Sequence, residues 1–223
     1  MRNKILIAGG TGRTGRIIVR KLVANGFSPH LLVRDLSKAR DLVAEEVILH
    51  RADVRDIDTL LEPMQGVEVL ISAVGTCAPV GQNCPKRVDH QGVANLVTAA
   101  QRTGVKRFIL ISSIAVTHPD HPLNRFGRIL DWKRKGEDAL RQSGLEYAII
   151  RPGGLTDTSN GSQALTFAQG DQIMGTLSRE NLAEICLQAF AYSFPLRVTF
   201  EAIELDQKGP LDWPGLFAAL TPD

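Results

Sequence analysis

The chain has 223 residues, 43% hydrophobic and 22% charged, which suits one buried core and argues against a disordered or fibrous protein. Its 26 basic and 24 acidic residues leave a net charge of +2 with no long run of one sign, so a nucleic-acid partner is not expected. Three cysteines without a C-x-x-C pair argue against a disulfide framework or a zinc site and fit a reducing cytosol.

Short apolar runs alternate with amphipathic stretches of helical length, the pattern that builds a parallel sheet from successive βαβ crossovers. In chain order the pattern predicts a strand over 4–8, a helix over 12–25 and a strand over 30–34. A helix near 37–45, a strand over 46–51, a helix over 56–64 and a strand over 67–73 follow. A long helix over 88–103 is stopped by Gly104. Then come a strand over 107–112, a helix over 126–143 and a strand over 147–151. Residues 153–175 are polar and rich in Gly, Ser and Thr, and read as irregular. A helix over 179–191, a strand over 197–204 and a short helix near 213–220 close the chain. The fold class is therefore α/β, a Rossmann-type doubly wound, mainly parallel sheet with helices on both faces. A single domain over 1–223 is expected, with a small substrate-side region made by residues around 153–175 and the C-terminal segment. No run of about 18 apolar residues suggests a membrane span. The opening Met1-Arg2-Asn3-Lys4 leads into a strand rather than a secretory signal. A cytoplasmic location is expected, with an organellar stroma as the alternative if a transit peptide was removed.

The strongest local signal is Ile5-Leu6-Ile7-Ala8-Gly9-Gly10-Thr11-Gly12-Arg13-Thr14-Gly15, a strand running through glycines into a helix. It satisfies G-x-G-x-x-G through Gly10, Gly12 and Gly15, and a spaced variant through Gly9, Gly12 and Gly15. Glycines let the backbone approach a pyrophosphate, and the helix N-terminus offers N–H groups to the anion. Gly9, Thr11, Gly12, Arg13, Thr14 and Gly15 are thus candidates for holding a dinucleotide. The second strand ends at Arg34-Asp35, where such a fold inspects the adenosine ribose: an acid there favours NAD and a cation favours the 2′-phosphate of NADP. Arg34 outweighs Asp35 in this reading, because Arg13 and Lys38 are expected to join it in a cationic cluster.

These residues resemble a known group, the atypical short-chain dehydrogenases/reductases with an NmrA-like or biliverdin-reductase-B-like Rossmann domain. Besides the glycine loop, Leu32-Val33-Arg34-Asp35, Ala52-Asp53-Val54, Ile111-Ser112-Ser113 and Ile150-Arg151-Pro152-Gly153-Gly154-Leu155 carry the likeness. The segment from His118 to Asn124 and Trp132-Lys133-Arg134-Lys135 is similar to plant and cyanobacterial members in particular. The resemblance implies Asp53 and Val54 near the adenine, Ala73, Val74 and Gly75 along the ribose, and Pro152, Gly153 and Leu155 beside the nicotinamide.

Carbonyl-reducing members of that group place a Tyr four residues before a Lys, so that a cation tunes a phenol into a proton donor. Here Ile129 stands four residues before Lys133, and Asp131 four before Lys135. Lys133 is expected to hold the nicotinamide ribose and Ser112 to hydrogen-bond an acceptor. The plainer readings, a solvated helix lysine and a strand-end hydroxyl, stay open at this stage. His118 and His121 lack a further ligand cluster in the sequence, so no metal is expected. Two functions compete. One is an NADPH-dependent reductase of a small-molecule acceptor such as a flavin, a quinone or a similar conjugated compound, for which solvent supplies the proton. The other is a noncatalytic NADP(H) sensor or assembly factor acting on a protein partner. An epimerase or dehydratase ranks last, since it needs the same Tyr.

Overall fold

The computed structural model describes residues 4–42, 46–158, 163–191 and 197–223. The main sheet has eight strands in the order β3-β2-β1-β4-β5-β6-β10-β8. They are β1 (Ile5–Ala8), β2 (His30–Val33), β3 (Ile48–Arg51), β4 (Val69–Ser72), β5 (Arg107–Ile111), β6 (Glu146–Pro152), β8 (Gln163–Ala168) and β10 (Val198–Lys208). All neighbours pair parallel except β10 with β8, which run antiparallel at one edge. A separate parallel pair joins β7 (Gly154–Thr156) to β9 (Thr176–Ser178). The helices are α1 (Arg13–Ala24), α2 (Val93–Thr103), α3 (Ile129–Arg141), α4 (Arg179–Ala191) and α5 (Trp213–Ala218).

Strand periodicity explains the two cores. Along β1, Ile5 and Ile7 face one side and pack with Ile18 and Leu22 of α1 and Ile185 of α4. Leu6 and Ala8 face the other and pack with Leu96 and Ala100 of α2 and Leu140 of α3. A strand apolar on both faces is what a sheet covered by helices on both sides requires. Because β1 lies between β2 and β4, the winding direction reverses at β1 and β4. The carboxyl ends of those strands open into the crevice where open α/β sheets bind ligands.

The departures from the predicted elements have local causes. The helix expected over 37–45 is a 3-10 helix, Leu36–Leu42, begun by an Asx turn in which Asp35 accepts from Ser37 N at 2.9 Å; residues 43–45 lie outside the described residues. The helix expected over 56–64 shrinks to one 3-10 turn, Ile57–Thr59. Pro63 lacks a donor and disfavours helical backbone at Glu62. Left-handed backbone at Gly127 and Arg128 delays α3 to Ile129. The helix expected at 88 starts earlier, as a π-helix over Lys86–Gly92 that feeds into α2. Residues read as irregular contain β7 and β8; residues 159–162 of that stretch lie outside the described residues.

Candidate active site

The glycine loop turns immediately after β1. Gly9 has φ +85°, and a Cβ there would lie 2.6 Å from the Ala73 carbonyl oxygen. Gly12 N donates to Gly9 O at 3.0 Å and closes the turn. A side chain on Gly15 would collide with the Gly9 carbonyl and come within 2.7 Å of Gly10 Cα, so Gly15 lets helix and turn pack together. The α1 N-terminus at Gly12 has no side-chain cap and no acid in its first turn, which leaves that positive end of the helix for an anionic guest.

Beside the loop a cavity of about 190 Å³ is lined by Gly9, Thr11, Gly12, Arg34, Asp53, Val54, Ala73, Val74 and Gly75. Its outer end widens into a polar recess bounded by Arg34, Asp35, Lys38, Asp53, Arg55 and Asn83. Arg34 donates to Asn83 Oδ1 at 2.8 Å, and Arg55 donates to the same atom at 3.2 Å. Arg55 also pairs with Asp53, and hydrogen bonding from that guanidinium holds the Asp53 carboxyl below the usual range. Arg13, expected in this cation cluster, instead pairs with Asp157 on the other side of the loop and lines none of this recess. Arg55 stands where Arg13 was expected. Its sequence signal was only a cation two residues after Asp53.

Ala73, Val74 and Gly75 are shared with a second, mostly apolar cavity of about 450 Å³. Thr14, Ser112, Lys133, Pro152, Gly153 and Leu155 line it, so the expected nicotinamide-side residues are brought together. Ile114, His121, Leu123 and Met174 also line it, and sequence reasoning missed all four as wall residues. Lys133 is no solvated helix lysine: its Nζ lies 2.9 Å from Oδ1 of Asp89, whose side chain is fully buried. Asp89 was also missed, because nothing in its local sequence distinguishes it from a surface acid. Ser112 Oγ is buried and has no hydrogen-bond partner among the described residues.

The wall after β5 is tied down. Asp171 accepts from Ala115 N at 2.6 Å, Thr117 N at 2.8 Å and Thr117 Oγ1 at 2.7 Å. Burial works to raise the Asp171 carboxyl, but these hydrogen bonds from Thr117 and Ala115 outweigh it and hold the group below its ordinary value. His118 Nε2 lies 3.0 Å from Asp171 O and braces the same wall, while His121 Nδ1 accepts from Leu123 N at 3.3 Å. No Tyr lines the cavity among the described residues. Tyr147 instead donates to Asp223 at 2.9 Å, with its phenol pushed up to about 12 by burial and then by that carboxylate. Trp132 stacks on His90 under Lys135 and is likewise no wall residue.

The uncapped helix end, the glycines that admit no side chain, the cationic recess and the unspent hydroxyl fit a dinucleotide laid from recess to apolar cavity. Comparison with known proteins points the same way. The profile of a family described as NAD(P)H-binding matches residues 9–192. An uncharacterized chloroplastic protein of Arabidopsis thaliana is 32% identical over 92% of this chain and 69% of its own. Sanguinarine reductase from Eschscholzia californica is 29% identical over 97% of this chain and 96% of its own. Among solved structures, an oxidoreductase from Lactococcus lactis superposes with a TM-score of 0.81 at 20% identity, covering 96% of this chain and 94% of that one; this shows the shared Rossmann-type fold.

Proposed function

The chain belongs to the NAD(P)H-binding family, and on that premise we propose that it is an NADPH-dependent reductase of a flavin, quinone or similar conjugated acceptor. The observation that carries this reading is the continuity of two unlike cavities. A polar, cation-lined cleft runs through Ala73, Val74 and Gly75 into a mostly apolar recess of about 450 Å³. In this reading Gly9, Thr11, Gly12, Thr14 and Gly15 form the pyrophosphate cradle, and Asp53 and Val54 flank the adenine. Arg34, with Lys38 and Arg55, receives the 2′-phosphate. Such a phosphate suits guanidinium groups held by neighbours, since little freedom is lost on binding.

Lys133 holds the nicotinamide ribose, and Pro152, Gly153 and Leu155 cover the nicotinamide from the far side. When bound, reduced nicotinamide supplies a hydride. The apolar walls exclude water and align the acceptor, which is most of what hydride transfer to a conjugated ring requires of a protein. Ser112 offers the acceptor a hydrogen bond in place of the missing phenol. Sanguinarine reductase, similar along nearly its whole length, is by name a reductase, which supports the reaction class.

The test is calorimetric titration with NADPH and NADH, followed by flavin and quinone acceptors while nicotinamide absorbance is monitored. Tighter NADPH binding and acceptor-dependent oxidation are expected. Tight binding without oxidation would replace the reductase with a noncatalytic NADP(H) sensor or assembly protein.

A further inference from the structure

Ser112 and Lys133 each face two cavities. Both line the large apolar recess, and both also line, with Asp89, Val74 and Ile111, a small pocket of about 10 Å³ behind it. A pocket of about 10–15 Å³ on this measure accommodates one water molecule. Its walls are polar at the right places. Ser112 Oγ and Asp89 Oδ2 are buried without a hydrogen-bond partner among the described residues, and Lys133 Nζ is held 2.9 Å from Asp89 Oδ1. Buried hydroxyl and carboxylate oxygens are matched in native proteins, by ordered water where no protein donor reaches them.

We infer that this pocket binds a single water molecule that links Lys133 to Ser112 as a proton path to the acceptor, with Asp89 as its positioning residue. The path rests on the reductase reading above; the water does not. Hydride addition to a quinone leaves a hydroquinone monoanion one proton short. The Ser112 O–H bond breaks as an O–H bond forms on that anion. Ser112 Oγ takes a proton from the water, and the water takes one from the Lys133 ammonium. Lys133, with 16% of its side chain exposed, recovers that proton from solvent. Every O–H or N–H bond broken is matched by one formed, and no oxidant or reductant beyond the hydride donor is needed. Asp89 gives up nothing; its carboxylate, 2.9 Å from Lys133 Nζ, holds that nitrogen beside the water.

Two measurements on the full chain test this. A high-resolution crystal structure should show a water within hydrogen-bond distance of Asp89 and Ser112, and an empty pocket would overturn the inference whatever the kinetics. The second readout is the ratio of turnover with a quinone, which needs the proton, to turnover with N-methylphenazinium, a cation neutralised by hydride alone. Asp89→Asn should lower that ratio by about tenfold or more, and Ser112→Ala should do the same. Equal losses with both acceptors would make these residues cofactor or folding determinants and remove the path. Should Asp89→Asn fail to fold, Ser112→Ala carries the comparison. Wild-type protein that oxidises NADPH with neither acceptor would end the reductase reading and the path together, while the density at Asp89 still decides the water.

Discussion

Arg34, at the end of β2, reaches Asn83 in the loop after β4 through a 2.8 Å hydrogen bond from Nη1 to the amide oxygen. The two residues are 49 apart in sequence and meet only because β1 lies between β2 and β4. Asn83 also accepts from Arg55, so one amide oxygen aligns two guanidinium groups at the mouth of the cleft.

Arg34→Ala should therefore weaken NADP binding by about tenfold to a hundredfold, the size of a lost charge-assisted hydrogen bond, and NAD binding much less. Titration calorimetry with both nucleotides checks this. Equal losses would count against the phosphate assignment.

The glycine loop separates two roles that the motif alone merges. Gly15→Ala places a methyl against the Gly9 carbonyl and should lower both the melting temperature and the affinity for either nucleotide. Gly12→Ala meets only Gly9 O, at 3.3 Å, and should keep the fold while weakening pyrophosphate approach. Thermal melting of the two variants, with and without NADPH, gives the comparison; an unchanged melting temperature in Gly15→Ala would contradict the packing role.

How much of this was legible beforehand follows from the range of each interaction. The glycine turn and the parallel strands β1 to β6 are local signals and stand within a few residues of their expected bounds, whereas the helix expected over 56–64 is reduced to one 3-10 turn. The strand β8 was not readable, because its short run Gln-Ala-Leu-Thr-Phe-Ala sits inside a Gly-, Ser- and Thr-rich stretch and its order comes from antiparallel pairing with β10, far later in the chain. Arg55 and Asn83 escaped for a related reason. A charged or amide residue in a turn looks the same whether it faces water or a cleft, and only the packing of β1 against β2 and β4 decides. The misplacement of Arg13 is the converse case, since its sequence neighbours suggested a phosphate while Asp157, far along the chain, claims the side chain.

At the opposite end of the sheet His30 Nδ1 and His50 Nε2 lie 2.8 Å apart. Burial, then Lys4 and His50, push the His30 imidazole down to about 4 from its ordinary 6.5. Between those values the unfolded chain binds a proton that the folded one refuses, so stability is fullest above about pH 6.5 and falls as pH drops toward 4. His50 is shifted in the same direction, chiefly by burial. Melting temperatures measured from about pH 7.5 down to about pH 4.5 should fall less steeply in His30→Gln than in the parent. Parallel curves would refute the assignment.

Asp171 ties the wall after β5 to the segment before β9. Asp171→Ala should cost about 1.5–3 kcal/mol of stability, as buried charged hydrogen bonds do, and raise the KM for the acceptor more than the Kd for NADPH. Denaturant melts and steady-state kinetics measure the two effects. A KM unchanged alongside lost stability would confine Asp171 to folding.

The π-helical stretch Lys86–Gly92 carries Asp89, and its wider turn holds one more residue between hydrogen-bonded partners than an α-helix does. Removing a single residue after Asp89, such as Gln91, would restore ordinary winding. It would also turn Asp89 relative to α2 by about 100° and shift it by about 1.5 Å. The glycine loop and the cationic recess lie on other strands and would keep their shape. The winding of this one turn thus sets where Asp89 stands against Lys133 without touching the glycine loop.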